Sequence, residues 1–121
     1  MSKRNVVHVE IPAASVESAG QFYQQLFGWK LEHVPEMNYT MWADDAGGGG
    51  GFTEVNAENP AGQVLVYIAS DDIEADLSRV VELGGAVLQP KKEIPNTGWF
   101  GVFKDSTGNV LALYTSMNPA E

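Results

Sequence analysis

Cysteine is absent from the 121 residues. That excludes disulfide frameworks, thiolate metal sites and thiol nucleophiles together. Basic residues are scarce, with seven Lys and Arg against sixteen Asp and Glu, so the formal net charge is −9. A surface this acidic repels phosphate backbones and anionic lipid, and neither nucleic acid nor membrane is an expected partner. No apolar run approaches the roughly 20 residues of a membrane span. Lys3-Arg4 is not followed by an apolar stretch of signal-peptide length, so a cytoplasmic location is expected. No Ser-His-Asp order and no repeated basic patch is visible, and Lys91-Lys92 reads as a surface charge pair.

What is present is an internal repeat. Displaced by 57 positions, Val7, Val9 and Ile11 meet Val64, Val66 and Ile68, and Glu17, Leu26, Gly28 and Leu31 meet Glu74, Leu83, Gly85 and Leu88. Chance gives roughly one or two identities over such a stretch. Displaced by 61, Tyr39, Met41 and Trp42 face Phe100, Val102 and Phe103, and Asp44 and Gly47 face Asp105 and Gly108. Matching turn residues, and not apolar ones alone, mark a duplicated unit.

Each half has the same grammar. Val7, Val9 and Ile11 alternate with His8 and Glu10 at the period of a half-buried strand. Ser15 offers a helix N-cap, Val16, Ala19, Phe22, Tyr23, Leu26 and Phe27 follow at helical spacing, and Gly28 supplies the stop. Three strands are then predicted around 30–34, 38–43 and 50–55. The second half repeats the order: a strand over 64–69, an Asp72-capped helix ended by Gly84-Gly85, and strands near 86–89, 99–104 and 110–115. The fold class is α+β, a single domain over 1–121. It consists of two tandem βαβββ modules, about 5–55 and 64–116, joined by a linker near 56–63 that carries Asn59-Pro60-Ala61-Gly62. One helix per module covers one sheet face. The two sheets are therefore expected to form a curved mixed sheet around a cup, with His8 and Glu10, and Leu65 and Tyr67, on the cup side.

The segments His8-Val9-Glu10-Ile11-Pro12, Ser15-Val16-Glu17 and Phe22-Tyr23…Leu26-Phe27-Gly28-Trp29 resemble the opening of the vicinal oxygen chelate superfamily. That superfamily includes glyoxalase I, bleomycin-resistance proteins and extradiol dioxygenases. Tyr67-Ile68-Ala69-Ser70-Asp71-Asp72-Ile73, Leu83-Gly84-Gly85-Ala86 and the closing Phe103-Lys104-Asp105-Ser106-Thr107-Gly108-Asn109 agree with it. The resemblance implies the cupped fold and pairing into a homodimer. It does not imply one activity, because the scaffold hosts several.

Metal-using members of the superfamily place ligands at four equivalent points, on the first and last strand of each module. The two offsets put those points here at His8, Gly51, Leu65 and Ala112. One of the four side chains can bind a metal, whereas a catalytic divalent ion takes three or more protein ligands. Glu10, two residues from His8, could add a second, but Thr53, Tyr67 and Tyr114 are poor ligands at neutral pH. No cofactor is therefore expected, and a divalent metal stands as the alternative. His8, with Glu10, is the best candidate for a catalytic or anchoring group. His33 reads as a solvated edge-strand residue.

The run Gly47–Gly51 lacks the Lys-Ser/Thr and helix start of a phosphate loop. It reads as a hairpin turn entering a strand, with the missing side chains widening the pocket. Tyr67, Tyr114 and one of Tyr39 or Trp42 are expected to line that pocket beside Thr53, Gly51, Leu65 and Ala112. Three function classes follow: a metal-independent binder of a small apolar or aromatic molecule, a metal-dependent glyoxalase- or dioxygenase-like enzyme, and an accessory domain without activity.

Overall fold

A computed structural model describes residues 3–117. The first module runs β1 (Val6–Ala13), α1 (Val16–Phe27), β2 (Lys30–Val34), a single 3-10 turn (Pro35–Met37), β3 (Tyr39–Ala43) and β4 (Gly49–Glu54). The second runs β5 (Leu65–Ala69), α2 (Ile73–Glu82), β6 (Ala86–Ile94), β7 (Gly98–Lys104) and β8 (Val110–Ser116). The strand order is β2-β3-β4-β1 in the first and β5-β8-β7-β6 in the second, with β1–β4 and β5–β8 parallel. Each module is thus a four-stranded mixed sheet with one helix.

The repeat holds to the level of strand register. Glu10 opposes Gly51 in the first module, and their equivalents Tyr67 and Ala112 oppose each other in the second. Thr40 opposes Phe52, and Gly101 opposes Leu113. The change of offset from 57 to 61 falls between helix and third strand, where β6 outgrows β2.

Both helices are capped as the sequence predicts. The Ser15 hydroxyl accepts from Ser18 N and the Asp72 carboxylate from Ala75 N. Gly28 ends α1 in the left-handed region (φ 74°), its N–H donating to Gln24 O. The linker turn is closed by Asn56, whose side-chain oxygen accepts from Glu58 N and Asn59 N.

Two expectations are corrected. The apolar stripe of α1 is only partly buried: Phe22, Leu26 and Phe27 lie nearly 60% exposed, and Gly20 is the one fully buried residue of the helix. Strand β6 continues past Gln89 to Ile94 through register shifts around Gln89–Lys92, which absorb Pro90 at the end of the strand order. Residues 3–6 group with the second module in one compact unit, and Val7–Leu65 form the other. There Asn5 O accepts from Ala69 N, and Arg4 pairs with Asp76, which also accepts from the buried Ser70 hydroxyl.

Each core sits between helix and sheet. In the second module it is Ile73, Leu77 and Leu113 with Ile68, Trp99 and Phe103 against them. In the first it is aromatic. Trp42 stacks on Trp29 at 3.8 Å between ring centres, and Tyr23 bridges Trp29 and Phe52.

Candidate functional site

The strand registers divide the first module's sheet into two faces. Ile11, Phe52, Thr40, Trp42 and Leu31 share the helix side, while His8, Glu10, Gly51 and Met41 point the other way. Tyr39 and Thr53 follow the second set by alternation. Of the two aromatic candidates on β3, Tyr39 joins His8, and Trp42 is 7% exposed inside the aromatic core.

Tyr39 holds this face together. Its hydroxyl donates to Glu10 Oε2 at 2.6 Å and lies 2.8 Å from His8 Nε2. A phenol has one proton, and here it goes to the carboxylate, so His8 Nε2–H is the donor to the phenol oxygen. The hydrogen-bond sequence is His8 to Tyr39 to Glu10, and it fixes the imidazole in its Nε2–H tautomer. The two rings lie near parallel, with centres 6.2 Å apart. Burial lowers the His8 pKa, and the Glu10 carboxylate opposes that in part. The imidazole is therefore neutral at pH 7.

Gly51 makes the arrangement sterically possible. A Cβ there would fall inside the Tyr39 phenol, against its Cζ and Oη. At Gly50 a Cβ would run into Val9 O and the Trp42 ring. The glycine run was expected to widen a pocket; instead its last two residues admit a tyrosine ring on one face and close strand and indole contact on the other. Asn38, left-handed at φ 48°, ends the 3-10 turn and delivers Tyr39 to this position.

The donor set does not suit a divalent metal. His8 and Glu10 converge on a phenol rather than on a third imidazole or carboxylate, and among the described residues no group of three or more His, Cys, Asp or Glu gathers. At the other points of family ligand geometry stand Gly51, Leu65 and Ala112. In the second module Tyr67 and Ala112 oppose each other on the face away from α2, Tyr114 follows by alternation, and its hydroxyl donates to Thr97 O at 3.2 Å. Leu65 and Ala112 are buried. His33 bonds Thr40 through Nδ1 at 3.1 Å, away from His8.

Comparison with known proteins agrees with the fold. The family model described as Glyoxalase/Bleomycin resistance protein/Dioxygenase superfamily matches residues 5–113. A glyoxylase-like domain-containing protein of Didymella fabae is 32% identical over 116 residues, covering 88% of this chain and 90% of that one. A Mycobacterium bovis protein that also carries a glyoxylase name is 26% identical over 122 residues, and this chain spans only 43% of its length. The crystal structure of methylmalonyl-CoA epimerase from Mycobacterium tuberculosis superposes with a TM-score of 0.71 at 13% identity, covering 95% of this chain and 89% of that one, a likeness of fold. With the duplicated βαβββ unit, its register and the match over nearly the whole chain in hand, the protein belongs to the Glyoxalase/Bleomycin resistance protein/Dioxygenase superfamily.

Proposed function

We propose that this protein binds a small apolar or aromatic molecule without a metal, against the sheet face that carries His8, Tyr39 and Glu10. The observation that supports this reading is the Tyr39 ring lying across Gly51 with its hydroxyl between His8 and Glu10. In metal-using relatives two of these positions would hold ligands. Here a neutral imidazole and a phenol make one directional polar corner anchored on a carboxylate. Such a corner orients a ligand by one or two hydrogen bonds, while burial of the ligand's apolar body provides most of the affinity.

The test begins with native mass spectrometry of protein purified without a tag, to identify a co-purified compound. That compound is then titrated into wild type and His8→Ala, with melting curves in parallel. The expected loss is about 1–2 kcal/mol of binding, the scale of one hydrogen bond, with little change in melting temperature. A large drop in melting temperature at unchanged affinity would make His8 a packing residue and remove the site.

A further inference from the structure

We propose that a groove at the end of the first module, on the helix side of its sheet, takes an amphiphilic organic cation: a protonated amine carried on an apolar body. The groove lies between the first turns of α1 and the corner where β2 turns into β3, is open to solvent along one side, and has a volume of about 840 Å³. Pockets for small organic molecules span roughly 300–1,000 Å³. Leu31, lying over the buried Phe52, supplies an apolar floor and Met37, nearly half exposed, an apolar wall. The helix comes down on this floor through Gly20, whose absent side chain leaves Leu31 Cδ1 3.0 Å from where a Cβ would stand. Leu31 therefore lies beneath the helix, and the space beside it stays open.

The rim selects charge. Glu17 and Glu54 line the groove, both exposed, beside the exposed imidazole of His33, and no Lys or Arg lines it. The ion pairs among the described residues, Arg4–Asp76 and Arg79–Glu82, are both in the second module, so the two glutamates have no cation of their own. The net charge of −9 extends the same field over the chain. An anion is repelled, and a neutral apolar molecule gains only the floor. An ammonium on an apolar tail satisfies floor and rim at once. This inference does not rest on the proposed function: Phe52 and Leu31 face α1, whereas His8, Glu10 and Gly51 face away from it. Tyr39 and Thr53, which alternate with the His8 face, border the groove as well, so both are left unaltered in the test.

The two faces carry separate reporters, Met37 in the groove and Met41 beside Gly51. Protein labelled with ¹³C at the methionine methyls is titrated with octylammonium, 1-octanol and octanoate. Octylammonium is expected to shift the Met37 methyl saturably and leave Met41 in place. Octanol binds more weakly and octanoate does not bind. The Glu17→Gln/Glu54→Gln variant is expected to lose about five- to tenfold in affinity, the effect of two exposed charges. Should that variant melt early, Glu54→Gln alone, remote from the helix cap, repeats the measurement with a smaller loss expected. No saturable shift at Met37, a shift at Met41 instead, octanol binding as tightly as octylammonium, or an unchanged affinity in the charge variants would each overturn the proposal.

Discussion

At the scale of the residue, Gly51 and Tyr39 are one unit. Gly51→Ala puts a methyl group inside the phenol, so either the ring or the strand must move. A loss of about 1–3 kcal/mol in urea unfolding is expected, the usual cost of overpacking. Adding Tyr39→Ala removes the clash, and the double variant is expected to lose less than the sum of the two single changes. His8 makes a pH prediction of definite sign. Unfolded, its imidazole titrates near 6.5; folded, burial lowers its pKa. The unfolded chain therefore takes up the proton first as pH falls through about 6.5, and the stability associated with neutral His8 above that pH is lost on acidification. Melting temperatures between pH 7 and 5 are expected to fall less steeply in His8→Gln than in wild type. His8 and Glu10 were legible as a pair because they share one face of an alternating strand. Tyr39 was not separable from Trp42, since the five-residue β3 presents an aromatic on each face. The choice was made by the left-handed Asn38 and the strand register, neither of which has a pattern of its own in the sequence.

At the scale of the element, caps and breakers were readable and the depth of burial was not. Ser15, Gly28 and Asp72 mark the helix ends because each satisfies orphan backbone groups or a left-handed residue locally. Phe22 and Leu26, by contrast, share helical spacing with Tyr23 yet stand on the outer side of α1. An aromatic-rich helix over a sheet narrowed by glycines has more apolar surface than the sheet can cover. Phe22→Lys is therefore expected to change unfolding free energy by less than about 0.5 kcal/mol. Trp29→Ala, which unstacks Trp42 and Tyr23, is expected to cost about 3 kcal/mol by the same denaturation measurement. The extension of β6 escaped the sequence pattern because Pro90-Lys91-Lys92 reads as a break. At the end of a strand order, proline and lysine are tolerated and discourage further strand pairing.

At the scale of the molecule, duplication carries the fold. Two units of one register need only one set of local signals, and the offsets of 57 and 61 located equivalent positions before any coordinates. The same equivalence frames the function. Where the family geometry asks for ligands, this chain has His8 alone, and the space at Gly51 belongs to a tyrosine. Homodimerisation is proposed on the family resemblance, and light scattering is expected to give about twice the 13.1 kDa chain mass; a mass near 13.1 kDa at all concentrations would rule it out. Metal-independence of the His8–Tyr39–Glu10 face is tested most directly by calorimetric titration of tag-free protein with nickel, zinc, manganese and ferrous ions, with elemental analysis of the starting material. No stoichiometric metal in the purified protein and no saturable uptake are expected. About one ion per chain, bound by wild type and lost in His8→Ala, would contradict metal-independence and make His8 and Glu10 ligands of a metal.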